Sequence, residues 1–226
     1  MLERILEPEV MDSVDDAVDY DAMDHSDVNR VFVADYLTAR RRFDSIFGRD
    51  STILDVGTGT ALIPIEYCQQ GGSGTIVGID MAEEMLKLGR QRVTERGLSE
   101  RIRLKYADAK KLGFEDGLFD GVMSNSIVHH IPKPADVFGE MLRVLRPGGM
   151  LFVRDLMRPA DQHTLDQLVE TYAENEADHA RQLFRDSLHA ALTVDEVQEI
   201  LHSFGYPKEW VSQTSDRHWT VSGVQP

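Results

Sequence analysis

Cysteine is nearly absent: Cys68 is the single one in 226 residues, which excludes an internal disulfide and any cysteine-built zinc site. It follows Ile65 and Tyr67 in an apolar helical stretch and reads as a buried structural thiol. Long hydrophobic runs are missing too, as is the basic-then-apolar layout of a secretory signal near residue 1, so a cytoplasmic chain without a membrane partner is expected. Positive charge is scarce. Lys and Arg number 24 against 39 Asp and Glu, a formal net charge of -15 at pH 7, and the one basic cluster is Arg40-Arg41-Arg42. A polyanion would approach against this field, so nucleic acid is not expected as a partner. Internal repeats and low-complexity tracts are absent as well.

Hydrophobic residues make up 42% of the chain, ample for one sizeable α/β core. From Ser51 to Val153, strand-length apolar runs alternate with helical patterns, the spacing of βαβ units on a parallel sheet. The expected strands are Thr52 to Val56, Thr75 to Ile79, Ile102 to Tyr106, Gly121 to Ser124 and Met150 to Arg154; the helices between them are Leu62 to Gln69, Met81 to Arg96 and Ala135 to Leu145. Thr193 and Glu196 form a capping-box pattern ahead of Val197, Ile200 and Leu201, a helix stopped by Gly205. Trp210 to Thr214 and Trp219 to Val224 suit a closing hairpin. The division expected is an acidic segment with a helical cap over residues 1–48, then a main domain over 49–226 carrying a helical insertion at about 161–191.

In an open parallel sheet, ligands sit at the carboxyl ends of strands near the switch point, and the first such loop reads Asp55-Val56-Gly57-Thr58-Gly59-Thr60. The third glycine of a dinucleotide loop is missing, Leu62 holding its place, which weakens a pyrophosphate reading. A carboxylate at Asp55 would repel pyrophosphate but suits a ligand bearing an ammonium and a sulfonium group. Asp80 ends the next strand, where a carboxylate can accept both hydroxyls of a ribose or cap the following helix. Asp108, after the third strand, is placed to accept from an exocyclic amine, with the Ala109 amide free to donate; a plain turn aspartate is the alternative.

These stretches, ILDVGTGTA, IVGIDMAEEML, YADA, FDGVMSNSIVHHI and LRPGGMLFVRD, resemble the motifs of class I S-adenosylmethionine (SAM)-dependent methyltransferases in order and spacing. The resemblance is close over about Arg49 to Asp155 and looser toward the end of the chain. It implies a doubly wound α/β fold: a mostly parallel seven-stranded sheet, an antiparallel C-terminal hairpin, and helices on both faces. It further implies that Asp55, Gly57, Thr58 and Gly59 hold the methionine moiety, Asp80 and Met81 the ribose side, and Asp108 and Ala109 the adenine. Asn125 is expected to face the cofactor's methionine end. The product would be S-adenosyl-L-homocysteine.

Methyl transfer from a sulfonium needs chiefly a collinear arrangement of nucleophile, carbon and sulfur, so a catalytic base is optional. Where the acceptor carries a proton, the loop after the fourth strand offers His129, and Asp155 lies at the end of the fifth strand. Asp155 alternatively pairs with Arg154 or Arg158, and Ser126 caps a short helix. Tyr20, Met23, His130, Arg185 and His189 are candidate substrate contacts, with packing or a surface pair between Arg185 and Asp186 as the plainer readings. The eight histidines show no convincing ligand spacing with carboxylates, although His25, His129 and Asp155 can meet in space; no metal is expected.

A compact acidic chain with an insertion large enough to enclose a metabolite points to a small-molecule acceptor, leaving its atom and the oligomeric state open. The alternatives are a protein or tRNA methyltransferase, a SAM-binding module without catalysis, and a nicotinamide-dependent reductase. The loop after the fourth strand reads Ser124-Asn125-Ser126-Ile127 rather than an Asn-Pro-Pro-Tyr-like sequence, which argues against a DNA-base or glutamine acceptor.

Overall fold

The computed structural model describes residues 2–7, 26–42, 51–174 and 176–226. Seven strands, β1 (Thr52–Val56), β2 (Thr75–Asp80), β3 (Ile102–Tyr106), β4 (Phe119–Asn125), β5 (Leu145–Leu156), β6 (Val211–Gln213) and β7 (His218–Val224), form one sheet in the order β3-β2-β1-β4-β5-β7-β6. β1 pairs in parallel with both β2 and β4, β2 with β3, and β6 with β7 antiparallel, as the hairpin signals require. The order reverses beside β1, so the crevice at the carboxyl ends of β1 and β4 is the switch point where such sheets bind ligands. The seven described helices are α1 (Ser26–Arg41), α2 (Leu62–Gln69), α3 (Glu83–Glu95), α4 (Pro134–Val144), α5 (Gln162–Ala173), α6 (Asp178–Ala190) and α7 (Val194–Ser203). None of the described helices is long and apolar enough to cross a membrane.

The chain divides into two compact units: a larger one over Val10–Asn125, Gly139–Val153 and Ser222–Pro226, and a smaller one over Met1–Glu9, Ser126–Phe138 and Arg154–Val221. In the larger, α1 buries Phe32 and Tyr36 edge-on against Phe152, with ring centroids 5.3 and 5.6 Å apart. Each such ring removed from water is worth roughly 1.5–3 kcal/mol. Arg40, in the one basic cluster, is buried and donates to the Tyr67 hydroxyl, Ser51 Oγ and Ser73 Oγ. Cys68 is only half-buried, packed beside Ile65 and Val93, and burial pushes its thiol pKa up.

In the smaller unit, Leu156, Leu165, Leu168, Val169, Leu188 and Ala191 form the core, with Leu2 and Phe184 against it. The expected insertion is thus two helices, α5 and α6, whose apolar faces share one cluster. The capping box at Thr193 and Glu196 forms with both of its hydrogen bonds, and Gly205 ends α7 at φ 87°. Residues 2–7 are tied down in the same unit: Arg4 donates from Nε to the Ala190 carbonyl and from Nη2 to the carbonyls of His129 and Ile131, and the Ile5 amide donates to the His189 carbonyl.

Candidate functional site

The β1–α2 loop in the larger unit is shaped by its glycines. Gly57 and Gly59 take φ of 75° and 52°, a region most side chains avoid, and Ala61 also turns left-handed at 64° to start α2. The amides of Gly57 and Thr58 both donate to the Ile79 carbonyl, which folds the loop back over β2. A methyl group added at Gly59 would meet nothing within 4 Å, so backbone is exposed to open space there.

At the end of β1, where the loop begins, lies Asp55, 1% exposed. Neither carboxylate oxygen has a hydrogen-bond partner, and the buried Thr58 Oγ1 beside it has none in bonding geometry. Burial pushes the Asp55 pKa up to about 7; Thr58 pulls it down and the Asp80 charge adds to the rise. A buried carboxylate with no neighbouring donor beyond the loosely placed Thr58 hydroxyl is costly unless a ligand completes it. Asn125 Oδ1, at the end of β4, is likewise buried and unpartnered. These orphaned acceptors, with the open backbone at Gly59, fit a ligand that brings a cationic donor to this loop.

Asp80 spans two loops: Oδ2 accepts the Gly59 amide at 2.8 Å and Oδ1 the Ala82 amide at 2.9 Å. The helix expected from Met81 therefore starts at Glu83, with Ala82 at its cap position, so Asp80 sits outside the helix and orders its approach. A carboxylate offers about four acceptor sites, so hydroxyls can still be received. Met81 beside it is half-buried. Asp108 is a turn aspartate, accepting from the Lys110 amide at 2.9 Å and pairing with Lys110 Nζ at 3.0 Å. Burial works to raise its pKa, but those Lys110 contacts outweigh it and hold the carboxyl below the usual range. Ala109 is half-buried in the same turn.

In the smaller unit, His129 and Asp155 meet. His129 Nδ1 lies 2.5 Å from Asp155 Oδ1, and Asp155, fully buried, also accepts the amides of Val128 and Leu156 at 2.6 Å each. Arg158, an alternative partner for Asp155, instead donates to Glu196 and the Ala191 carbonyl, while Arg154 Nε donates to Thr220. Burial of Asp155 favours the neutral acid, yet the His129 charge and these bonds outweigh it and depress the pKa; for His129, burial is outweighed by Asp155 and Glu7 and the pKa rises. Ser126 does not cap the short turn Val128–His130 and takes a left-handed φ of 57° instead, with its amide on the Arg154 carbonyl. Strain at a non-glycine residue is characteristic of loops that carry function.

Glu7 was invisible to motif reasoning. Its Oε1 lies 3.4 Å from His129 Nε2 and 3.1 Å from His130 Nδ1, and the two imidazoles stack with centroids 4.1 Å apart. Burial raises the Glu7 pKa, the His129 charge offsetting part of it. The absence of metal-ligand spacing in the sequence thus did not prevent a Glu-His-His cluster. Arg185 pairs with Asp166 at 2.5 Å, not with its neighbour Asp186, because the helical turn points it across to α5. His189 is half-buried with Nδ1 unpartnered. Tyr20, Met23 and His25 lie outside the described residues.

The family model described as "Methyltransferase domain" matches residues 48–205. Ubiquinone/menaquinone biosynthesis C-methyltransferase UbiE of Azotobacter vinelandii is 34% identical over 114 residues, 50% of this chain and 45% of that protein. Demethylmenaquinone methyltransferase of Listeria monocytogenes is 38% identical over 112 residues, 49% of this chain and 47% of that one. The chain spans about half the length of the curated relatives it matches. Among solved structures, a SAM-dependent methyltransferase from Aquifex aeolicus superposes with a TM-score of 0.64 at 19% identity, covering 95% of this chain and 99% of that chain. Phosphoethanolamine N-methyltransferase 2 of Haemonchus contortus, solved with SAM, gives 0.57 at 20% identity over 75% of this chain and 36% of its own.

Proposed function

Because the chain belongs to the methyltransferase domain family, we propose that it transfers a methyl group from SAM to a small-molecule acceptor, a demethylated quinone being the first to test. The observation that carries the reading is Asp55: a buried carboxylate with both oxygens unpartnered at the start of an open glycine loop. An ammonium-bearing ligand supplies the donors it lacks, whereas a pyrophosphate would meet repulsion.

When bound, SAM supplies a methyl group activated on a sulfonium and displaced in line. The chain's own contribution is positioning. Asp55 and the backbone of Gly57, Thr58 and Gly59 hold the amino-acid end, with Asn125 beside it. Asp80 and Met81 hold the ribose, and Asp108 and Ala109 the adenine. Where the acceptor carries a proton, His129 takes it: the bond from Nδ1 to Asp155 fixes the tautomer that leaves Nε2 as the accepting nitrogen. Nε2 faces Glu7, so this role requires that carboxylate to give way. Arg185, His189, His130, Tyr20 and Met23 are the proposed acceptor contacts.

Incubation of the full chain with isotope-labelled SAM and a panel of demethylated quinones, phenols and amines tests the proposal. Labelled product that disappears in Asp55→Asn is expected. Thermal stabilisation by SAM without product across the panel would favour a binding module, and stabilisation by NADH alone would sink the methyltransferase reading.

A further inference from the structure

We propose that Glu7, His129 and His130 form a three-ligand site for a zinc-type divalent cation. The three ligand atoms lie within 4.8 Å of one another. Around a tetrahedral ion with ligands at about 2.0–2.1 Å, neighbouring ligand atoms stand roughly 3.3–3.4 Å apart. Glu7 Oε1 already stands 3.4 Å from His129 Nε2 and 3.1 Å from His130 Nδ1. Small adjustments are enough to seat an ion.

Three further features of the smaller unit support it. Glu7, its side chain 9% exposed, directs Oε1 at the two rings with no donor in hydrogen-bond geometry, while Oε2 receives the Ser187 hydroxyl at 3.2 Å. Asp155 receives the far nitrogen of His129, the carboxylate–histidine arrangement that stands behind ligating imidazoles and fixes the lone pair on the near nitrogen. Glu7 and Asp155 bring two carboxylates to the buried cluster against the one positive charge of Arg4, so the protein supplies counter-charge for a divalent cation. Arg4 holds the segment carrying Glu7 by its bonds to the carbonyls of His129, Ile131 and Ala190.

Two imidazoles and one carboxylate suit zinc or cobalt over magnesium or calcium, and three protein ligands leave a fourth position for an outside ligand. His130, its side chain 19% exposed, gives the entry path. The cation occupies the Nε2 lone pair that a base role needs, so the two uses of His129 are alternative states. The site does not rest on the methyl-transfer reading.

The full chain, stripped with a chelator, is titrated with Co2+ alone and followed by visible absorption. One tetrahedral Co2+ per chain, displaced by Zn2+, is expected. Glu7→Gln and His130→Ala should each weaken it at least about 100-fold, Asp155→Asn by about 10–100-fold, and His163→Ala, on an exposed helix face, should leave it unchanged. Thermal shift with SAM reports separately that each variant is folded. No visible band, or a band retained in either folded ligand variant, overturns the site and shows the cluster to be an ion pair between Glu7 and protonated histidine.

Discussion

Replacing Asp55 with Asn should move stability and ligand binding in opposite directions. Burial raises the carboxyl pKa from 3.8 to about 7. The folded chain therefore holds a proton that the unfolded chain has released, and stability falls as pH rises from about 4 to 7. Above that the burial of the charge costs its full amount. At about 1.4 kcal/mol per pH unit, that interval sets a ceiling of ~4 kcal/mol. An asparagine still buries polar atoms without partners, so a net gain of about 1–2 kcal/mol at pH 8 is the expectation. For a chain of this size it reads as a rise of roughly 2–8 °C in Tm without ligand. SAM affinity should fall, because the ligand's ammonium loses its counter-charge in a buried site, by about 2–4 kcal/mol or 30- to 1,000-fold. Wild-type affinity should also drop as pH falls below about 7, by up to tenfold per pH unit, while Asp55→Asn loses that slope. Differential scanning fluorimetry and titration calorimetry at pH 6 and 8 check both halves. A variant that is destabilised, or that binds SAM as tightly as the wild type, would refute the reasoning.

Asp80→Ala removes the acceptor of two loop amides and of the ribose, so calorimetry should show SAM affinity lower by roughly 1–3 kcal/mol and melting a lower Tm without ligand. Gly59→Val fills the open space of the loop: a strain of about 1–3 kcal/mol is expected from φ 52°, with SAM binding lost beyond what that strain explains. Asp155→Ala strands the amides of Val128 and Leu156 together with His129, and thermal unfolding should register about 3–5 kcal/mol of lost stability. Unchanged melting would mean that the pair with His129 does not hold the loop after β4.

Most of the sheet was legible because its determinants are local. An apolar stretch at TILDV and an apolar-basic alternation at IRLKY, each between helical patterns, placed β1 and β3 to the residue, and the threonine-glutamate box placed α7. The start of α3 was misjudged because Asp80 spends its carboxylate on Gly59 and Ala82, a long-range commitment that the residue order Asp80-Met81 cannot display. The burial of Arg40 is illegible for a similar reason: it depends on Tyr67 and Ser73, far along the chain. Asp55 was legible from position and charge alone. His129, in the loop after β4, and Asp155, near the end of β5, were each visible as polar residues, whereas their union depends on the packing of that loop against β5, and Glu7 opposite them on folding residues 2–7 beside α6.

The central claim is that an unpartnered buried carboxylate at the start of a glycine loop selects a cationic methyl donor. Calorimetric titration of the full chain with SAM and, separately, with NADH tests it most directly. The account predicts one SAM site per chain whose affinity weakens below pH 7, with no heat from NADH. Binding of NADH without SAM, or SAM binding indifferent to pH and to Asp55→Asn, would contradict it.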